Sequence, residues 1–329
     1  MHHYCTYFDS NYLVKGLALY RSLERHDSRF TLWVLALDDR AFETLRVLNL
    51  DHVRVISLGD FEDGDTALAD AKKNRSRIEY IFTCTPSLPL YILDRNPDLD
   101  SITYLDSDLY CFSNPQPVFD AFDRYSILIT PHRFPPALRE RERYGIYNVG
   151  VVGFRNDDTG RECLNWWRRQ CLEWCYDRLD GERFGDQGYL NHWPEQFSKV
   201  LAIDHAGVNA APWNWMSYRI HQSGAIVHLD DDPLIFFHFH QLRQLNGWLC
   251  DPGLSSYGGA SSELRRRVYA PYLRELKDTW TWVHSHSPNA SPGYKRLGTS
   301  RESARQLIKD LLRATVRGQL ILTPGNRVI

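Results

Sequence analysis

The sequence contains no apolar run near the roughly 20 residues needed to span a bilayer. Its first stretch, His3-Tyr4-Cys5-Thr6-Tyr7-Phe8, reads as a strand rather than as a basic segment followed by an apolar core and a small-residue cleavage site. The expectation is a cytoplasmic protein, at most peripheral to a membrane. Net charge is also scarce: 39 Lys and Arg against 41 Asp and Glu leave −2. That excludes an acidic solvating chain and a globally basic nucleic-acid binder. The seven cysteines (Cys5, Cys84, Cys111, Cys163, Cys171, Cys175, Cys250) are odd in number, scattered and mostly set in apolar runs. They argue against a disulfide framework and for a reducing compartment. Cys171 and Cys175 stand four apart on an expected helix, but no second Cys/His pair has zinc-ligand spacing, so the thiols are assigned to the core and no structural zinc is expected. Finally, Tyr7-Phe8-Asp9-Ser10 after the first strand is not a glycine-rich phosphate loop, which counts against a sugar nucleotidyltransferase.

What the chain does contain is enough apolar material, 43% of 329 residues, to bury a full α/β core. The first hundred residues alternate short apolar runs with helical patterns, Tyr4–Phe8, Val14–Leu23, Thr31–Leu37, Phe42–Leu48 and Val53–Ile56. This is the βαβ rhythm of a mostly parallel sheet flanked by helices. Ligands of such sheets sit at the carboxyl ends of the strands. The first such end carries Asp9, Ser10, Asn11 and Tyr12 beside Tyr7. One of these polar groups suffices to cap a helix; the others are free to meet a nucleotide base or ribose. The basic cluster Lys72-Lys73-Asn74-Arg75-Ser76-Arg77 precedes a helix-like run, Ile78–Leu93. A solvated face is the plain explanation, with Lys73 or Arg77 against phosphate as the functional one.

Two acids, Asp106 and Asp108, interrupt the apolar stretch Ser101–Phe112, with Ser107 between them. A carboxylate there needs a partner, because burying one alone is very costly. On a strand, alternate residues face one way, so the pair is expected to converge on a hard divalent cation, Mn2+ or Mg2+, together with a diphosphate. The same spacing at Asp98/Asp100 and Asp230/Asp232 reads as solvated turns. Further on, Asn148 is the one polar residue of an apolar, glycine-containing strand over 145–154. A helix is expected over Asp157–Leu179, with Trp166, Trp167 and Trp174 as packing residues. Asp186 and Gln187 follow a glycine at an expected helix start, where Asp186 can be a simple N-cap. His238 and His240 lie on one face of the strand-like run Pro233–Gln241, and neutral imidazole suits a third protein ligand to manganese. The tail from Lys295 holds eight Lys/Arg against Glu302 and Asp310, a net +6. Ala304, Leu307, Ile308, Leu311, Leu312 and Thr315 recur there at helical spacing. A basic amphipathic helix results, able to dock on its own domain, another subunit or, through 295–322, an anionic membrane.

In their order, these pieces resemble the GT-A retaining glycosyltransferases, the family that includes glycogenin and bacterial lipooligosaccharide α-galactosyltransferases, over roughly Tyr4 to Trp248. The resemblance implies a Rossmann-like GT-A domain over 1–258 and a helical extension over 259–329. It implies a nucleotide contact at Asp9, Asn11 and Tyr12, a metal site at Asp106, Asp108 and His238, sugar hydroxyls held by Asp186, and Gln187 beside the anomeric carbon with Asn148 nearby. A UDP-sugar donor, a glycan, lipid-linked or protein acceptor such as envelope polysaccharide, and retention of configuration are implied in the same way. The sequence departs from the family at three places. The arginine of the helix before the metal strand is absent from Thr83-Cys84-Thr85-Pro86-Ser87. Gln241 stands where glycine is usual, and the following Lys-Pro-Trp is missing, with Arg243 and Trp248 as loose substitutes. A catalytically inactive nucleotide-sugar or glycan binder, or a scaffold with a basic tail, is the alternative.

Overall fold

The computed structural model describes residues 1–245 and 249–294, and beyond them 305, 308, 309, 312, 321 and 322. Trp248 and nearly all of the basic tail lie outside the described residues. In chain order the first half forms β1 (His2–Phe8), α1 (Leu13–His26), β2 (Phe30–Ala36), α2 (Asp39–Leu48), β3 (Val53–Ser57), α3 (Leu58–Glu62), α4 (Thr66–Lys73), α5 (Arg77–Arg95), β4 (Ser101–Leu105), β5 (Leu109–Cys111), α6 (Gln116–Asp120), β6 (Ile127–Pro131), β7 (Tyr147–Arg155) and α7 (Asp158–Glu173). There follow α8 (Trp193–Gln196), β8 (Val200–Ala202), β9 (Ile220–Ser223), β10 (Ile226–Leu229), β11 (Asp232–Pro233), β12 (Phe236–His238), β13 (Arg243–Gln244), β14 (Leu249–Asp251), α9 (Ser262–Leu264), α10 (Ala270–His286) and β15 (Ile321–Leu322).

The main sheet has seven strands in the order β3-β2-β1-β4-β7-β6-β8. All are parallel except β7, which runs against both of its neighbours. The two-residue period of the strands sorts the core into two layers. Tyr4 and Phe8 of β1 and Leu32, Val34 and Ala36 of β2 pack with α1 on one face. Cys5 and Leu35 point the other way, into a layer with Cys84, Leu88 and Ile92 of α5 and Cys163, Leu164 and Trp167 of α7. Because α1 and β2 follow β1 on one side of the sheet while β4 flanks it on the other, the crevice at the carboxyl ends of β1 and β4 is where a ligand is accommodated.

A third apolar layer joins Val14 and Ala18 of α1 to Phe237, Phe239, Leu264, Tyr269, Tyr272 and Leu276. Within it, Glu275 of α10 takes Arg21 Nε at 2.9 Å and an Arg25 nitrogen at 2.5 Å. The helices at 262–286 thus share a core with the first helix of the chain. All seven cysteines are buried and unpaired. Among the described residues, no helix is long and apolar enough to cross a membrane.

Two elements differ from expectation. The helix expected to reach Leu179 ends at Glu173, because the Tyr189 hydroxyl takes the carbonyls of Gln170 and Trp174 at 3.3 and 2.7 Å and so satisfies the end of the ladder. And Asp106 and Asp108 are not on a strand: β4 stops at Leu105, and Leu109 N–H donates to Asp106 O at 3.0 Å, closing a tight turn. The two carboxylates converge through that turn rather than through the strand pleat.

Candidate active site

The turn is held at both ends. Asp106 N–H donates to Gly150 O on β7 at 3.0 Å, extending the β4–β7 ladder by one step. Beyond the turn, β5 pairs antiparallel with β12, setting His238 opposite Leu109, and Phe239 N–H donates to Asp108 O at 2.9 Å. This short ribbon, closed over more than a hundred residues of chain, brings the imidazole to the acids. His238 Nε2 lies 3.1 Å from Asp108 Oδ1 and 3.5 Å from Asp106 Oδ2. The Tyr104 hydroxyl donates to the other oxygen of Asp106 at 2.7 Å.

The electrostatics are those of a compressed anionic pair around one base. Burial raises the pKa of Asp106, and Asp108 adds to the rise against the pull of His238. Burial acts on Asp108 too, but the charge and hydrogen bond of His238, helped by Lys15, outweigh it and hold this carboxyl well below its usual range. His238 in turn is raised, because the two carboxylates overcome its own desolvation. Asp106 keeps 29% of its side chain open to solvent while His238 keeps 3%, so the acids present an accessible edge and the imidazole a buried wall.

The donor set suits a hard divalent ion. Ligand atoms of Asp106, Asp108 and His238 all lie within 4.8 Å of one another. Neighbouring ligands of an octahedral ion at about 2.1 Å stand about 3 Å apart, which matches the two imidazole–carboxylate spacings. Two oxygens and one nitrogen fit Mn2+ or Mg2+ with the remaining positions left for water or phosphate.

Behind the imidazole, β7 is irregular: Leu128 pairs with Gly153 but Thr130 pairs with Asn148, so β7 bulges between them. Bulges re-aim side chains, and this one turns Asn148 inward, with the Thr130 hydroxyl at 3.3 Å from the carbonyls of Asn148 and Val151. Gly150 sits in the bulge for want of space. A Cβ there would stand 2.6 Å from Asn148 Oδ1 and 2.7 Å from His238 Nδ1. Asn148 reaches Gln187 Oε1 at 3.4 Å, and Gln187 Nε2 donates to Tyr144 O at 2.8 Å. Asp186 is 8% exposed. Burial pushes its carboxyl up to about 7 from 3.8, opposed by a Thr85 hydrogen bond and reinforced by the charge of Asp106. Its backbone carbonyl accepts from Trp167 Nε1 at 2.8 Å.

At the end of β1, Asp9 Oδ1 accepts from the N–H groups of Asn11 and Tyr12 at 2.9 and 3.1 Å, and Oδ2 meets Arg77 at 2.9 Å. Asp38, at the end of β2, takes the Ser10 hydroxyl at 2.9 Å. Asn11 and Tyr12 stay exposed, and the Tyr7 hydroxyl is tied to Thr85 Oγ1 at 2.9 Å. Lys73 is elsewhere: it pairs with Asp70 of its own helix, with 76% of its side chain exposed. His240 packs edge-on to His238 at 5.6 Å between centroids and is not one of the three residues whose ligand atoms cluster. Both rings pack edge-on to Trp213, at 5.3 and 5.2 Å between centroids, and burial followed by the charge of His238 drops His240 to about 4. Ser107 occupies the turn between the two acids.

Three residues that the sequence reading passed over complete the site. Lys15 of α1 is 3.9 Å from Asp108 Oδ2, donates to Leu242 O at 2.9 Å and lies 4.4 Å from the centre of the Tyr12 ring. Thr85 links Tyr7 to Asp186. Asn209, fully buried, touches Asn148, Thr130 and His238. The signal for Asn209 in the sequence was the one that marked Asn148, an amide inside an apolar stretch. At the position where glycine was expected, Gln241 adopts φ +61°, so the left-handed backbone that favours glycine is kept although the residue is not.

This architecture is the GT-A glycosyltransferase fold. The structure superposes on the crystal structure of the galactosyltransferase LgtC with donor and acceptor sugar analogs at a TM-score of 0.51 and 17% identity, covering 81% of this chain and 100% of that one. An active-site mutant of LgtC aligns at 0.51 and 16% identity over 73% of this chain and 88% of that one. In sequence, the chain is 31% identical to the uncharacterized protein YfnD of Bacillus subtilis (strain 168) over 89% of its own length and 94% of that protein's. It is 33% identical to the uncharacterized protein YfnF of the same strain over 73% of its own length and 81% of that protein's. The chain belongs to the family of YfnD and YfnF. No family model matches the sequence.

Proposed function

We propose that this protein is a metal-dependent glycosyltransferase that moves a sugar from a nucleoside-diphosphate donor to a glycan, lipid-linked or protein acceptor, with retention of configuration. The observation that carries the reading is the convergence of Asp106, Asp108 and His238 at the carboxyl edge of β4, inside a GT-A fold. Asp106, Asp108 and His238 would hold Mn2+ or Mg2+, whose charge supports the departing diphosphate. Asp9, Asn11, Tyr12 and Arg77 offer hydrogen-bonding groups and a ring for the nucleoside of a donor such as a UDP-sugar. Lys15, partly desolvated beside Asp108, offers a second cation to the diphosphate.

In the reaction, the bond from the anomeric carbon to the diphosphate oxygen breaks with its electron pair on oxygen. The acceptor hydroxyl forms the new bond to that carbon, and its proton passes to the leaving diphosphate. Gln187 is a weak nucleophile, and Asp186, whose carboxyl burial pushes up to about 7, is suited to hydrogen bonds with sugar hydroxyls. This inventory favours front-face attack by the acceptor over a covalent sugar–enzyme intermediate. Asn148 and Gln187 would line the face opposite the leaving group.

The deciding experiment is Mn2+-dependent hydrolysis of a panel of nucleotide sugars by wild type, Asp108→Asn and His238→Ala. Turnover of one donor, abolished in the first variant and reduced in the second, supports the reading. Donor binding without turnover by wild type, with any acceptor, moves the protein to the non-catalytic binders. Inversion at the anomeric carbon, read by NMR of the product, would remove the front-face mechanism.

A further inference from the structure

The buried amides behind the metal cluster form one hydrogen-bonded chain whose direction is fixed by backbone groups at Gln187 and at Asn148. At one end Gln187 Nε2 meets the Tyr144 carbonyl at 2.8 Å, so that atom must be the nitrogen and Oε1 must face Asn148. Asn148 Oδ1 takes the Gly150 N–H at 2.9 Å, so it is the oxygen, and it also accepts from Asn209 Nδ2 at 2.9 Å. Asn209 Nδ2 donates a second bond, to Thr130 Oγ1 at 2.8 Å. With its nitrogen doubly used, Asn209 turns its oxygen to His238 Nδ1, at 3.3 Å. An amide oxygen can only accept, so the imidazole must carry a proton on Nδ1; Nε2, which bonds Asp108 in the absence of an ion, is then the nitrogen that can give up its proton and offer a lone pair to one.

The backbone around Asn209 is built to keep it there. Asn209 has φ +58°, a left-handed conformation that is costly for most residues and less so for asparagine. Its own carbonyl accepts from Asn214 Nδ2 at 3.3 Å. The preceding loop is clamped by Arg133, whose guanidinium donates to the carbonyls of His205 at 3.1 Å and Val208 at 2.6 Å. Strained backbone that its surroundings over-determine is found where a side chain must be placed accurately.

We infer that Asn209 is a positioning residue for the metal centre. It fixes the His238 tautomer so that Nε2 is free for the ion, and it joins that imidazole through Asn148 to Gln187. The ion and the side chains proposed to face the anomeric carbon are thereby parts of one hydrogen-bonded unit. The inference rests on the metal reading given above, and its test separates the two.

Mn2+ affinity is measured by electron paramagnetic resonance on full-length wild type, Asn209→Gly and Asn209→Asp, with circular dichroism confirming that each is folded. Glycine removes the side chain while suiting the positive φ; aspartate keeps an acceptor for Nδ1 but loses the two bonds donated to Asn148 and Thr130. The expected result is Mn2+ binding weakened about 10–100-fold in Asn209→Gly, the usual cost of losing a group that orients a ligating histidine, and weakened clearly less in Asn209→Asp. If Asn209→Gly does not fold, Thr130→Val, which deletes one acceptor that orients the Asn209 amide, is measured in the same way and is expected to bind several-fold more weakly. A folded Asn209→Gly that binds Mn2+ as tightly as wild type overturns the inference and leaves the functional reading intact. Equal weakening in Asn209→Gly and Asn209→Asp also overturns it, since a merely structural role predicts no rescue by an acceptor. Wild type that takes up no Mn2+ overturns both.

Discussion

Asp186 is the residue at which function and stability pull hardest against each other, and Asp186→Asn exposes the conflict. Burial raises the carboxyl to about 7 from 3.8. A group whose folded-state pKa lies above its unfolded value binds protons more tightly when folded, so its ionisation works against the fold as pH rises. Below pH 4 both states are protonated and the residue is neutral in effect; between 4 and 7 the fold loses about 1.4 kcal/mol per pH unit through this group; above 7 the full deficit is in place. The interval corresponds to about 4 kcal/mol, an upper bound that relaxation and water entry reduce to about half. Asparagine mimics the protonated acid in shape and charge. The expected outcome is therefore that Asp186→Asn unfolds at higher urea than wild type at pH 8.5, by about 2–4 kcal/mol, and that the gap closes toward pH 4.5. The same variant is expected to lose donor turnover, because an amide replaces the carboxyl proposed to hold the sugar hydroxyls. Urea unfolding of both proteins at the two pH values is the assay. A difference that does not change with pH, or that favours wild type at pH 8.5, would show that Asp186 is not a desolvated carboxyl.

Gly150→Ala puts a methyl 2.6 Å from Asn148 Oδ1 and 2.7 Å from His238 Nδ1; a stability loss of about 1–3 kcal/mol together with weakened Mn2+ binding is expected by thermal melting and metal titration, and wild-type behaviour in both would refute the close packing. Gln241→Gly relieves a residue held at φ +61°, so its melting free energy is expected to stay within about 1 kcal/mol of wild type or above it, whereas Gln241→Val is expected to lose more than that. Lys15→Met removes the cation 3.9 Å from Asp108. Calorimetry is expected to show Mn2+ alone binding as well or better and a nucleoside diphosphate with Mn2+ binding about tenfold more weakly, the size of one charge-assisted hydrogen bond; unchanged diphosphate affinity would remove Lys15 from the site.

Much of the sheet was legible because it is written in local periodicity. The alternation Tyr4/Cys5 and Val34/Leu35 separates the two faces of β1 and β2 directly, and the βα rhythm gives the parallel order. The antiparallel course of β7 was not legible, since a buried strand reads as a continuous apolar run in either direction. The acids were found, but for a different geometric reason from the one that places them. A strand and a tight turn can bring residues i and i+2 equally close, and nothing in Asp-Ser-Asp distinguishes the two; the deciding group is the Leu109 N–H that closes the turn.

The rest of the site escaped because its members are defined by partners far away in sequence. His238 was set apart from His240, two residues on and on the same expected face, by the family resemblance alone; the physical ground for it, the pairing of β12 with β5, is supplied only by the folded chain. Lys15 lies on a helix whose apolar pattern gives it no mark; its position follows from α1 packing against β5 and from the Leu242 carbonyl that anchors its ammonium. Asn209 is more telling. A buried amide is costly unless all of its hydrogen-bonding groups are used, and Asn148, Asn209 and Gln187 meet that demand by using one another. Each satisfies the next only if every member has its oxygen and nitrogen the right way round, and the imidazole at the end owes its Nδ1 proton to backbone groups at Gly150 and Tyr144. The orientation of the metal-facing nitrogen is thus a property of the whole chain of amides, and no single residue type in the sequence encodes it.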